Sequence, residues 1–272
     1  MLHQFVQVRD GGLLIYNQSD YRSATRNRHV LGPGKTYSGT VTSHSAKRIK
    51  CALDILLQRS PQVRIFNPIS ESYHDFRINF TTLTVAAKQN ITAREAYDKL
   101  LAEWLRYMRR KCGLRDYLWK AELQERGQIH YHVATNTFID YRTIKWRWNS
   151  LQKRAGLLVG YHNKYGHWNP NGTDIHAVHK VQDIHAYLAK YLAKSSQNTK
   201  ATVGKVWDAS LSLKISRFAG HLDYLTEQNI KTAAKFGKAS VTELEHCVFI
   251  KTSTPEALLS PTLQIAYRKH IN

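Results

Sequence analysis

The stretch YLWKAELQERGQIHYHVAT, residues 117–135, decides how the rest of this chain is read. It falls into two strands, Tyr117 to Gln124 and Ile129 to Thr135, around the turn Glu125-Arg126-Gly127. A three-residue hairpin loop places its last residue in the left-handed conformation, which a residue without Cβ adopts freely, and Gly127 stands there. That register pairs Gln124 with Gln128 and Glu122 with His130. Residues two apart in a strand share a face, so His130 and His132 project side by side with Glu122 next to them. Two imidazoles and a carboxylate make a donor set for a divalent ion. A two- or four-residue loop would turn Glu122 away. Gln124, on the same face by parity, is the alternative third ligand.

Working outward, Phe76 to Val85 alternates apolar and polar residues and reads as a central strand. Thr92 opens a helix that runs to about Cys112, with Gly113 as its stop. A second helix spans Tyr141 to Arg154, and a polar stretch rich in Gly, Asn and His, Gly156 to Thr173, reads as loop. Val181 to Lys194 forms a third helix, and Val206 begins another strand. Ser43 caps a helix whose apolar stripe is Ile49, Ala52, Leu53 and Leu56 and which ends at Pro61; His246 to Lys251 is a late strand. The order of elements predicts an α+β fold, a largely antiparallel sheet with helices packed on it. The expected organisation is a basic N-terminal arm and helix over 1–70, a core over 71–215, and a C-terminal extension over 216–272 packed on that core. The first forty residues, with Arg22, Arg26, Arg28 and Lys35, read as an arm rather than a fold of their own.

Charge narrows the partners. The 272 residues carry 40 Lys and Arg against 20 Asp and Glu, a formal net charge of +20. Such an excess points to a polyanion, since Lys and Arg neutralise phosphates and release condensed counterions. Hydrophobic residues at 42% exclude wholesale disorder. No apolar run is long enough to cross a bilayer, and no leader opens the sequence, so a cytoplasmic protein without membrane partners is expected. Cys51, Cys112 and Cys247 are odd in number and far apart, which fits neither a disulfide framework nor a thiolate zinc site.

A second motif lies downstream, Tyr187-Leu188-Ala189-Lys190-Tyr191. On a helix, residues i and i+4 sit one above the other, so two phenols face one spot. Lys190 and Lys194 follow each tyrosine by three residues, where they can bind phosphate and favour the phenolate. Tyr161 and Tyr165 repeat the spacing among Gly156, Gly160, Gly166 and Pro170; as loop residues they fix no common face, though either ring could stack on a base. With 14 His and 15 Tyr, about 0.7 His-x-His and about 0.8 Tyr-x-x-x-Tyr pairs arise by chance, so neither motif is specific alone. Together they ask for one reaction. A divalent ion polarises a phosphodiester and a tyrosine attacks phosphorus.

Phe80-Thr81-Thr82-Leu83-Thr84, then Glu122 through Gly127 to His130-Tyr131-His132, then Tyr187 to Lys194 resemble the three ordered motifs of HUH endonucleases. Within that group the chain is similar to rolling-circle replication initiators of the two-tyrosine class found in small single-stranded DNA phages. The resemblance covers about Phe76 to Ser212, and Gly204-Lys205-Val206-Trp207 adds to it. It implies an HUH/RRM-like palm of about five antiparallel strands, bound Mg²⁺ or Mn²⁺, and nicking of single-stranded DNA at a replication origin. It also implies a 5′-phosphotyrosine intermediate, a free 3′-hydroxyl that primes a host DNA polymerase, and the cytoplasm of a bacterial host. In its terms His130 and His132 are metal ligands, Tyr187 and Tyr191 nucleophiles, and Lys190 a supporting lysine. Glu122 as third ligand rests on the hairpin register. No Gly-x-x-x-x-Gly-Lys-Ser/Thr loop occurs, so unwinding falls to a host helicase. Rival readings are a relaxase or transposase of the same chemistry, or a non-catalytic single-stranded nucleic-acid binder. His162, His167, His176, His179 and His185 are left without a role, as is the order in which the tyrosines act.

Overall fold

A computed structural model describes residues 2–19, 39–86, 91–124, 127–178, 184–193, 205–215 and 217–271. The chain divides into two compact units, Met1–Gly34 with Ser216–Asn272, and Lys35–Ile215. In chain order the first elements are β1 (Leu2–Arg9) and β2 (Gly12–Ser19), then α1 (Ser43–Gln58), β3 (Val63–Asn67), β4 (Ser72–Phe76) and β5 (Asn79–Thr84). Next come α2 (Ala93–Ala96), α3 (Ala102–Lys111), β6 (Tyr117–Leu123), β7 (Ile129–Thr135), α4 (Tyr141–Arg154), α5 (Val159–Tyr165), β8 (Thr173–Ala177) and α6 (Ile184–Leu192). Last are β9 (Trp207–Ala209), β10 (Ala219–His221), α7 (Tyr224–Lys235), β11 (Ser240–Leu244), β12 (Cys247–Lys251) and α8 (Pro261–Ile271). The fold is α+β with antiparallel sheets.

The unit Lys35–Ile215 is built on a five-stranded sheet of order β8-β5-β7-β6-β9, antiparallel at every pairing. Strand alternation gives this sheet two characters. Leu83, Trp119, Tyr131 and Val133 occupy odd positions and enter a core with Trp104, Met108, Ile144 and Trp148 from α3 and α4. Trp148 is fully buried, and its indole Nε1 donates to the Thr84 carbonyl at 2.8 Å, which removes the cost of hiding that N–H. The even positions, Phe80 and Thr82, Lys120 and Glu122, His130 and His132, share the opposite face. Thr92 caps the helical run from Ala93 to Lys111 through a capping box with Glu95, and a π-helical turn, Tyr97–Leu101, interrupts it. Gly113, at φ 68°, follows its end.

The other unit holds a second five-stranded sheet, of order β10-β1-β2-β12-β11, with Val6, Val8, Leu13 and Ile250 buried. The expected basic arm is therefore corrected for residues 2–19, which form a hairpin with Arg9 paired to Gly12 across Asp10-Gly11. Asp-Gly between alternating apolar residues is a strong hairpin signal. The expected C-terminal extension supplies the remaining three strands of this sheet, so the first strands associate with the C-terminal segment, while α1 and β3 lie in the unit Lys35–Ile215. The cations Arg22, Arg26, Arg28 and Lys35 lie outside the described residues.

Smaller differences follow local chemistry. The α1 N-cap is Thr42, whose side chain accepts from the Ser45 N–H, rather than Ser43. Phe76 ends β4, so the expected strand begins at Asn79. The stretch expected as loop after Gly156 contains α5, closed by Gly166 at φ 73°.

Candidate active site

The hairpin of β6 and β7 pairs Glu122 with His130, the expected register. Gly127 has φ 79°, its N–H donates to the Gln124 carbonyl at 2.8 Å, and the Gln124 N–H donates to the Gln128 carbonyl at 2.9 Å. Glu125 and Arg126 lie outside the described residues. The consequence is local and strong: His130, His132, Glu122 and Lys120 are fixed on one face by pairing alone.

His132 is buried, with Nε2 3.1 Å from Glu122 Oε2 and Nδ1 3.1 Å from Thr82 Oγ1. One tautomer satisfies both contacts, with Nε2–H donating to the carboxylate and the Thr82 hydroxyl donating to Nδ1. The hydrogen bond from His132 holds the Glu122 carboxyl below its ordinary range against the opposing effect of burial, and the Lys120 ammonium helps. His130 contacts Gln124 Nε2 through Nδ1 at 3.0 Å, and its own Nε2 is buried with no hydrogen-bond partner. Burial, with the neighbouring His132, pushes the His130 pKa down to about 4. At neutral pH the ring is uncharged, the state in which an imidazole nitrogen can ligate a cation.

Helix α6 brings the two tyrosines to this face. Leu188 and Leu192 are buried and seat the helix, while Tyr187 and Tyr191 lie one turn apart with ring centroids 5.2 Å apart. Phe80 packs against Tyr187 at 6.2 Å, Tyr191 at 5.6 Å and His132 at 5.8 Å, and His132 lies 6.1 Å from Tyr191. The Lys120 ammonium, 2% exposed, donates to the Tyr191 carbonyl at 3.1 Å and so ties α6 to β6. His185 reaches the other way, 3.4 Å from Asp54 on α1. On β8, His176 pairs with Asp174 at 2.9 Å, and Asp174 stands opposite Thr82. Desolvation, then the Tyr191 phenol and the charge of Asp174, push the Tyr187 phenol above its ordinary value. Lysine activation of this phenol was expected from Lys190, which is exposed, and Lys194, which lies outside the described residues; neither lysine is among the causes of the shift.

Thus His130, His132, Glu122, Tyr187 and Tyr191 meet on one side of the sheet. Sequence reasoning passed over Phe80, Thr82, Lys120 and Asp174. Parity places all four on the histidine face once the strand pairings are known, and no local signal marks them. Among the described residues, no three His, Cys, Asp or Glu side chains are gathered closely enough to hold a metal ion. Glu122 is engaged by His132 instead, and the donor left over is His130 Nε2. Tyr161 and Tyr165 are on a helix, with centroids 4.7 Å apart, which corrects the loop expected there. His162 stacks on Trp168, His167 packs against Tyr161, and His179 lies outside the described residues.

Residues 78–196 match the family model described as replication-associated protein, ORF2 type. The matched stretch runs from the start of β5 through α6 and contains every residue of the site. It is similar to replication-associated proteins at that level of description, and the match does not reach either segment of the second unit. No curated protein and no solved structure matches the chain. Among the described residues, no helix is long and apolar enough to cross a membrane.

Proposed function

We propose that this protein is a replication initiator of the HUH two-tyrosine class that nicks single-stranded DNA at an origin and later rejoins it. The observation that carries the reading is the meeting of Tyr187 and Tyr191 with the imidazole of His132 around Phe80, within a stretch similar to replication-associated proteins. A net charge of +20 supports a nucleic-acid substrate.

In this reading one phenol attacks phosphorus, the bond from phosphorus to the 3′-oxygen breaks, and the 5′-phosphate stays on tyrosine. The departing 3′-hydroxyl takes a proton and is left to prime a host DNA polymerase, with a host helicase opening the duplex. A 3′-hydroxyl attacking the phosphotyrosine reverses the step and conserves the bond. The second phenol permits a second cleavage while the first still holds an end. The raised Tyr187 pKa means that the attacking phenol starts protonated and gives up its proton during attack.

His130, His132 and Glu122 would hold Mg²⁺ or Mn²⁺, with Gln124 as the alternative to Glu122. The uncharged His130 with its unpartnered Nε2 fits such an ion. For His132 to ligate through Nε2, its proton moves to Nδ1 and Thr82 accepts instead of donating, a reversal that a hydroxyl allows. The ion would supply charge on a non-bridging phosphate oxygen. Lys190, exposed beside the tyrosines, would contact DNA phosphate. The place of action is the cytoplasm of a bacterial host.

The test is incubation with single-stranded origin DNA and Mn²⁺, followed by mass mapping of any DNA-bearing peptide. The expected adduct lies on Tyr187 or Tyr191 and is absent in EDTA. An adduct elsewhere, or one that forms in EDTA, overturns the assignment.

A further inference from the structure

Helix α4 has two faces of different use. Ile144, Trp148 and Leu151 are buried against the sheet face that carries Tyr131 and Val133, the side away from the histidines. Arg142, Lys145, Trp146, Asn149 and Lys153 follow i, i+3, i+4, i+7 and i+11 spacing along the outer side. With Trp168 they line a cavity of about 640 Å³ that has no Asp or Glu in its wall. Among the described residues, none of Arg142, Lys145 and Lys153 is paired with a carboxylate. An electropositive wall with no internal counter-ion is what an anionic ligand meets favourably.

The aromatic rings differ in availability. Trp168 is held in place, stacked on His162 at 4.1 Å and 16°, with the Lys153 ammonium 4.8 Å from its ring. Trp146 is 58% exposed and meets Tyr107 edge-on at 5.9 Å, so it offers an open π-face. Between them Asn149, 6% exposed, donates to Asn169 Oδ1 at 2.9 Å and to the Pro170 carbonyl at 3.1 Å, which pins the loop carrying Trp168 to the helix. Its Oδ1 is buried and has no hydrogen-bond partner, an unmet acceptor at the wall of the cavity.

We infer that this cleft is a second binding site for single-stranded nucleic acid, separate from the tyrosine face, in which a base stacks on Trp146 and the flanking phosphates lie against Arg142, Lys145 and Lys153. An exposed aromatic platform beside unpaired cations is the chemistry that holds unpaired strands without regard to sequence. A duplex, whose bases are already stacked on one another, cannot use Trp146. The site would grip a strand on the side of the sheet away from the nicking chemistry, and it does not depend on that chemistry.

The test is titration of the full chain with an oligothymidylate of about ten nucleotides in EDTA, so that no cleavage occurs, reading tryptophan fluorescence and anisotropy. Trp146→Ala should weaken binding about tenfold and remove most of the quenching. Arg142→Ala with Lys145→Ala should weaken it and flatten its salt dependence by about two phosphate contacts. Adduct formation on saturating origin DNA should be unchanged in both variants, so loss of that activity and loss of this site are separable. Equal affinity of wild type and Trp146→Ala, equal binding of an abasic oligomer, or tighter binding of duplex through these residues would overturn the inference.

Discussion

Two tyrosine pairs in this chain have the same spacing, and both stand on helices. Tyr187 and Tyr191 on α6 have centroids 5.2 Å apart; Tyr161 and Tyr165 on α5 have centroids 4.7 Å apart. As helical geometry they are equivalent. What separates them is the ground beneath. Helix α6 is seated by Leu188 and Leu192, and its phenols rest on Phe80 beside His132. Helix α5 buries no residue, has no side-chain N-cap, and sets its rings beside His167. A pair of phenols at i and i+4 is common chemistry. A site requires a second element that brings metal-ligating and charged groups to the same spot.

The comparison breaks most sharply by exchange of phenol for phenyl. Tyr187→Phe with Tyr191→Phe should reduce covalent adduct on origin DNA by on the order of 10³-fold or more, with binding largely kept. Tyr161→Phe with Tyr165→Phe should leave adduct yield at the wild-type level. Denaturing gels of labelled DNA read both, and equal loss in the two double variants would remove the distinction.

Phe80 tests the ground itself. It is 2% exposed and touches both tyrosine rings, and Phe80→Ala should cost about 3 kcal/mol in urea unfolding. A loss below about 1 kcal/mol would mean that α6 is held without it. Thr82→Val keeps the shape but removes the hydroxyl at His132 Nδ1, and nicking should fall about tenfold with stability little changed. A variant as active as wild type would show that His132 is oriented by Glu122 alone. The smallest effect belongs to α5. Gly166 sits at φ 73° with open space where a Cβ would stand, so Gly166→Ala meets no clash and costs only backbone strain, about 1 kcal/mol. Thermal unfolding should register that loss while adduct yield stays constant.

Much of the site was legible because its rules are local. Gly127 selects the hairpin loop, the loop sets the register, and the register puts Glu122 beside His130. Helix α4 matches its expected bounds, Tyr141–Arg154, because Asp140 caps it and its apolar stripe is regular. The misses have equally physical causes. Thr82 and Phe80 join the site through pairing with β7, some fifty residues away in the chain. Lys120 reads as an ordinary strand lysine until its ammonium is found under α6. Helix α5 was hidden by its glycines and histidines, whose weak helix propensity is offset by the stop at Gly166. Residues 2–19 carried an Asp-Gly hairpin signal, but their partner strand β12 is more than two hundred residues distant.

By itself the sequence determined parity and spacing: which side chains share a strand face, and which phenols share a helix face, because those periods are properties of the backbone. It also determined the charge that favours a polyanion. The tertiary structure alone decided which of two equal tyrosine pairs meets the histidines, and which tryptophan stays open to a ligand. Those outcomes depend on strand pairings and helix seating between residues far apart in the chain, where burial of Leu188, Leu192 and Trp148 outweighs any local preference.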